Sequence, residues 1–90
     1  MAVTIQYSYQ RSGTDVVIAA SYYQDAGTTV LLAREFRYPL LAGTTTLAAI
    51  RQQLADQAQA IEDALTRWQV IDAALSAGQG QRLTQAQVRG

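Results

Sequence analysis

Leu47, Leu54, Ile61, Trp68 and Leu75 recur at every seventh position, with no proline or glycine between Leu47 and Ala77. A seven-residue apolar repeat draws one stripe down one face of a helix. Ile50, Gln57, Ala64 and Ile71 fill the second position of that stripe, and Ala58 and Leu65 widen it. Gln52, Gln53, Asp56, Gln59 and Glu62 lie off it. Thr44, Thr45 and Thr46 offer capping hydroxyls at its start, and Gly78 supplies a stop. Asp63 and Arg67 stand four apart in the favourable acid-then-base order. The pattern predicts one amphipathic helix over approximately 46–77.

A helix of that length reaches ~46 Å, whereas a strand of seven or eight residues spans only ~25 Å. One helix on one small sheet therefore leaves about half its stripe uncovered. Either the helix breaks into a hairpin near Asp63–Trp68, or another chain buries the remainder. No glycine or proline stands there to make the break, which favours the unbroken helix. A strict 3.5-residue period also favours helix-on-helix packing, because a straight helix on a sheet drifts by about 20° per heptad.

The first half reads as strands. Val3, Ile5, Tyr7 and Tyr9 alternate with Thr4, Gln6, Ser8 and Gln10, the pattern of a half-buried strand. Val16 to Tyr23 is apolar on both parities, as in a strand covered on two faces. Val30 to Tyr38 begins the same way, then alternates until Pro39 ends it. Tyr9–Ala19 also aligns with Tyr23–Ala33 at an offset of fourteen, sharing Tyr, Gln, Gly, Thr, Val and the final Ala. This repeat predicts two turns of one build, each with a glycine free to take positive φ, and equal side-chain parity in successive strands. The expected fold is α+β: a three-stranded antiparallel meander over approximately 2–10, 16–23 and 30–38, then the long helix. Residues 1–78 form one small domain. Residues 79–90, Gln-rich with two large apolar groups (Leu83 and Val88), form an irregular tail that is a flexible arm, a segment ordered by a partner, or a short strand from Arg82 to Val88.

The composition excludes much chemistry. Among 90 residues there is no lysine, histidine or cysteine, so disulfides, thiolate zinc sites, Ser-His pairs and Schiff-base lysines are ruled out. Asp56 and Asp63 share a helix face, but a polar one with no cleft; Asp15 and Asp25 sit in turns, where carboxylates bond local amides. Gly13, Gly27 and Gly43 make no phosphate loop. Tyr7, Tyr9, Tyr22, Tyr23 and Tyr38, with Arg34 and Arg37, are a candidate platform for bases or sugars, but their parities leave at most three tyrosines on one face. Seven arginines balance seven acids, which argues against a nucleic-acid surface and permits close approach of identical copies. There is no apolar run of ~20 residues and no basic, apolar leader, so the expected location is the cytoplasm or a virion, without a secretion signal or membrane.

These readings predict a non-enzymatic structural subunit of a homo-oligomer or larger particle, without catalytic residues, cofactor or metal. Its partners are further copies of itself or other structural proteins. The interface candidates are Leu54, Ile61, Leu65, Trp68, Ile71 and Leu75 on the helix, with Val17 and Tyr23 on the outer face of the middle strand. Neutral charge, arginine without lysine and abundant Ala, Gln and Thr follow the compositional style of small phage virion proteins of tail, connector or decoration type. The alternative is a dimeric adaptor or regulator that grips another protein through the helix stripe; a nucleic-acid-binding module ranks below both.

Overall fold

The computed structural model describes residues 2–90. Strands β1 (Val3–Ser12), β2 (Asp15–Gln24) and β3 (Val30–Pro39) are followed by helix α1 (Leu47–Gly78) and a short helix α2 (Gln85–Arg89). The strands form one antiparallel meander in the order β1-β2-β3. The architecture is the expected α+β one, with strand ends extended by one or two residues because the ladders run on into the turns.

The two turns differ in build, contrary to the internal repeat. Ser12 pairs with Asp15 across a two-residue turn in which Gly13 takes φ 62°. In the second turn the positive φ falls on Asp25, at 51°, not on Gly27. Gly27 serves instead to let its own N–H reach Gln24 O at 2.9 Å; a Cβ there would meet that carbonyl. The longer loop and a register shift at Tyr22/Tyr23 absorb the difference. Side-chain parity consequently reverses between β1 and β2 and is kept between β2 and β3. Tyr7, Tyr9, Tyr22 and Tyr38 therefore share one face of the sheet, four rather than at most three, and Tyr23 lies on the other.

Helix α1 is unbroken through Asp63–Trp68. Thr46 caps it, its hydroxyl accepting from Ala49 N at 3.2 Å, while Thr45 ties the entry loop to Pro39 O at 2.7 Å. The core forms where the first half of α1 meets the even-numbered face of β2 and β3: Ile18, Ala20, Tyr22, Phe36, Leu54 and Ala58, fringed by Val3, Val16, Leu32, Tyr38, Ile50 and Ile61. Three polar contacts fix the helix on the sheet. Tyr22 Oη donates to Leu54 O at 3.3 Å, Arg34 Nη1 to Gln57 Oε1 at 2.6 Å, and Val3 N to Glu62 Oε1 at 2.9 Å.

Within the chain, another element covers only one face of β2. Only the even face meets the helix. On the odd face Val17 is 5% exposed, set between Gln10 and Arg37 on its neighbouring strands. Arg37 is held there by Asp15 at 3.0 Å, so long polar side chains shelter Val17 within the chain. The tail is not irregular. Gly80 takes φ 79°, and Thr84 and Gln87 form a capping box that starts α2. Leu83 folds back so closely that a Cβ on Gly78 would stand 3.2 Å from its Cδ1. Among the described residues no helix is long and apolar enough to cross a membrane.

Candidate assembly interface

Ten residues of strand span ~33 Å, and thirty-two of helix ~48 Å. The sheet therefore supports α1 only as far as Leu65. From Thr66 to Ala77 every residue of the helix is exposed. Trp68 is 55% exposed and Leu75 66%, with Ile71 open between them. The stripe that builds the core under the sheet thus continues beyond it as a bare apolar ridge.

The eight residues anticipated as interface separate into three groups. Leu54 is core, and Val17 is sheltered within the sheet; neither leaves much surface for a partner. Ile61, Leu65 and Tyr23 are half-buried, the first two at the margin of a groove shared with Leu31 and Leu32. Trp68, Ile71 and Leu75 remain fully available. The heptad period did not distinguish these groups because it continues unchanged across the end of the sheet. The first half of the stripe also shows that a 3.5 period is compatible with packing on strands over about four turns.

Polar groups along the helix find local partners. Thr66 and Ser76 return their hydroxyls to Glu62 O and Asp72 O, four residues back. Asp56 and Asp63 accept from Gln52 and Gln59 along the polar face; the anticipated Asp63–Arg67 pair is not among the ion pairs of the described residues. Past the ridge, Leu75, Leu83, Gln87 and Val88 line a cleft of about 620 Å³ between α1 and the hooked tail, which widens the apolar end of the molecule.

The other candidate sites disperse. Asp15 is paired with Arg37, and Asp25 Oδ1 accepts from Ala2 N at 3.1 Å, at opposite ends of the sheet. Tyr22 is fully buried, and its phenol is pushed above the ordinary value of 10.0 by burial and by Tyr38, with Arg34 opposing. Tyr38 is raised in the same direction by burial, again with Arg34 opposing. Arg34 stands 4.9 Å over the Phe36 ring and reaches Gln57, so it belongs to the core margin and not to an open basic face.

The edge of β1 is also open. Tyr7 and Tyr9, 59% and 77% exposed, lie beside that edge on the helix side of the sheet. They line a largely apolar groove of about 420 Å³ with Val16, Ile18, Leu47 and Ile50. Its signal in the sequence is charge: β1 carries Arg11 alone, whereas β3 carries Arg34, Glu35, Arg37 and Pro39. Comparison with known proteins finds no family, no curated protein and no solved structure that significantly matches this chain.

Proposed function

We propose that the chain is a non-enzymatic structural subunit that assembles by packing the α1 overhang, Trp68, Ile71 and Leu75, against the same ridge of a second copy. The observation that supports this reading is the apolar stripe running bare for three turns past its sheet. Exposed large apolar groups contiguous with a core mark association surfaces, and helix-on-helix burial suits a seven-residue period. Zero net charge removes the repulsion that would keep copies apart. The small-virion style of the composition is consistent with a place in a larger particle, where such a subunit meets several neighbours.

Light scattering on the wild type and on Trp68→Ser/Leu75→Ser tests this. The wild type is expected at a multiple of its chain mass at micromolar concentration, and the variant is expected to lose association by at least tenfold in Kd while keeping its helical circular dichroism. A wild type that is a folded monomer at every concentration, or a variant whose mass is unchanged, overturns the reading. A discrete complex only with another protein would replace it by the adaptor.

A further inference from the structure

We infer that the free edge of β1 is a second self-association site, at which two copies join their sheets antiparallel about a two-fold axis through Ser8. The inference rests on the sheet edge and is independent of the α1 overhang.

The backbone geometry decides which groups are open. Asp25 N donates to Ala2 O at 2.7 Å in the same register that pairs β1 with β2. Hydrogen-bonded pairs alternate along an antiparallel ladder. The even residues of β1 thus bond to β2, and the odd ones, Val3, Ile5, Tyr7, Tyr9 and Arg11, turn their N–H and C=O outward. Val3 is already served: its N–H donates to the Glu62 carboxylate at 2.9 Å. Four consecutive outward residues, Ile5, Tyr7, Tyr9 and Arg11, remain as a template for another strand.

Only one register uses all four in both copies. Centring the axis on Ser8 sets Ile5 opposite the second copy's Arg11, and Tyr7 opposite its Tyr9. Each such pair exchanges two backbone hydrogen bonds. Ser8 then faces Ser8 of the other copy as a non-bonded pair on the polar face, flanked by Gln6 opposite Gln10.

The side chains fit the same register. Odd residues of β1 lie on the helix side, so the two α1 helices fall on one face of a six-stranded sheet. Over the joined edge lies a valley flanked by Leu47, Ile50 and Leu54 of each copy, which already line one groove with Tyr7 and Tyr9. Tyr7 and Tyr9 from both copies occupy that valley and would exchange their present exposure for burial against each other. Charge agrees as well. Arg11 has no ion pair among the described residues, and opposite Ile5 of the second copy it lies diagonal to Val3, where the Glu62 carboxylate sits. Diagonal neighbours at 7–8 Å are within reach of so long a side chain. The edge of β3, with its charges and Pro39, has no such self-complementarity.

The chain contains no cysteine, which makes the register directly testable. Non-bonded antiparallel positions lie ~4.5 Å apart at Cα, within the disulfide range. Full-length Ser8→Cys is expected to oxidise to a disulfide dimer, more than tenfold faster than Gln6→Cys or Gln10→Cys, whose own counterparts lie off the axis. Adding Tyr7→Pro, which removes an outward N–H not used within the monomer, is expected to abolish the cross-link while the melting curve still shows a folded chain. Adding Trp68→Ser/Leu75→Ser is expected to leave it intact. A folded Ser8→Cys that does not cross-link, equal rates at positions 6, 8 and 10, a folded Tyr7→Pro chain that still cross-links, or loss of the cross-link on removing the ridge would each overturn the proposal.

Discussion

Tyr22 and Tyr38 show how two like residues in one core carry opposite signs. Both phenols are enclosed, but Tyr22 Oη donates to Leu54 O, whereas Tyr38 Oη is buried without a partner. A buried hydroxyl with a partner contributes about 1 kcal/mol, and one without it costs a comparable amount. Tyr22→Phe is thus expected to lower the free energy of unfolding by about 1 kcal/mol and Tyr38→Phe to raise it by about 1 kcal/mol, measured by urea denaturation. Alkali adds a second reading of the same pair. In the native chain both phenols titrate above the ordinary 10.0, chiefly because burial disfavours the anion. The unfolded chain then releases these protons first, so the native state holds more of them. Their contribution is present below pH 10 and is lost as the pH climbs from 10 toward the raised native values. The double Phe variant is expected to lose less stability than wild type across that interval; an identical slope would exclude the two phenols as its source.

At the scale of elements, α1 is one helix with two kinds of support. Residues up to Leu65 are held by the sheet, whereas those from Thr66 onward lie beyond it, with the hooked tail against their C-terminal end. Isolated helical segments of this length are marginal in water. Amides of 66–78 are therefore expected to exchange with solvent faster than those of 50–62 in dilute solution, and to gain protection as concentration rises and the ridge is covered. Equal protection at all concentrations would argue against burial of the overhang by a second copy. The helix and the three strands were legible in the sequence because each is a local periodicity. Helix continuity was legible from the absence of glycine and proline between Leu47 and Ala77. The faces were not. They depend on whether a turn holds two residues or five, and the matching Gly13 and Gly27 concealed that difference. Leu54 and Trp68 read alike because the stripe carries no mark where the sheet stops. The short turn of α2 escaped notice because Thr84 and Gln87, its capping box, sit in a Gln-rich stretch with little apolar content.

The whole molecule is extended, 57 × 28 × 19 Å, with a radius of gyration of 19.0 Å. A compact chain of this length would have about 12 Å. Its accessible surface is 6892 Å², against about 5,200 Å² for a compact monomer of this size. The surplus of ~1,700 Å² is roughly twice the ~800 Å² per partner of an ordinary interface. One two-fold contact would leave much of that surplus exposed; the ridge and the β1 edge lie on different parts of the molecule and together can account for it. Two distinct two-fold contacts on one subunit alternate, and their products are a closed tetramer when the axes meet at right angles and a larger ring or an open chain otherwise. Removing either contact should then stop growth at a dimer. Trp68→Ser/Leu75→Ser alone and Tyr7→Pro alone are each expected to sediment as dimers, their combination as a monomer, and the wild type as a tetramer or larger. If either single-site variant sediments directly as a folded monomer, the two surfaces act as one interface and alternation is excluded.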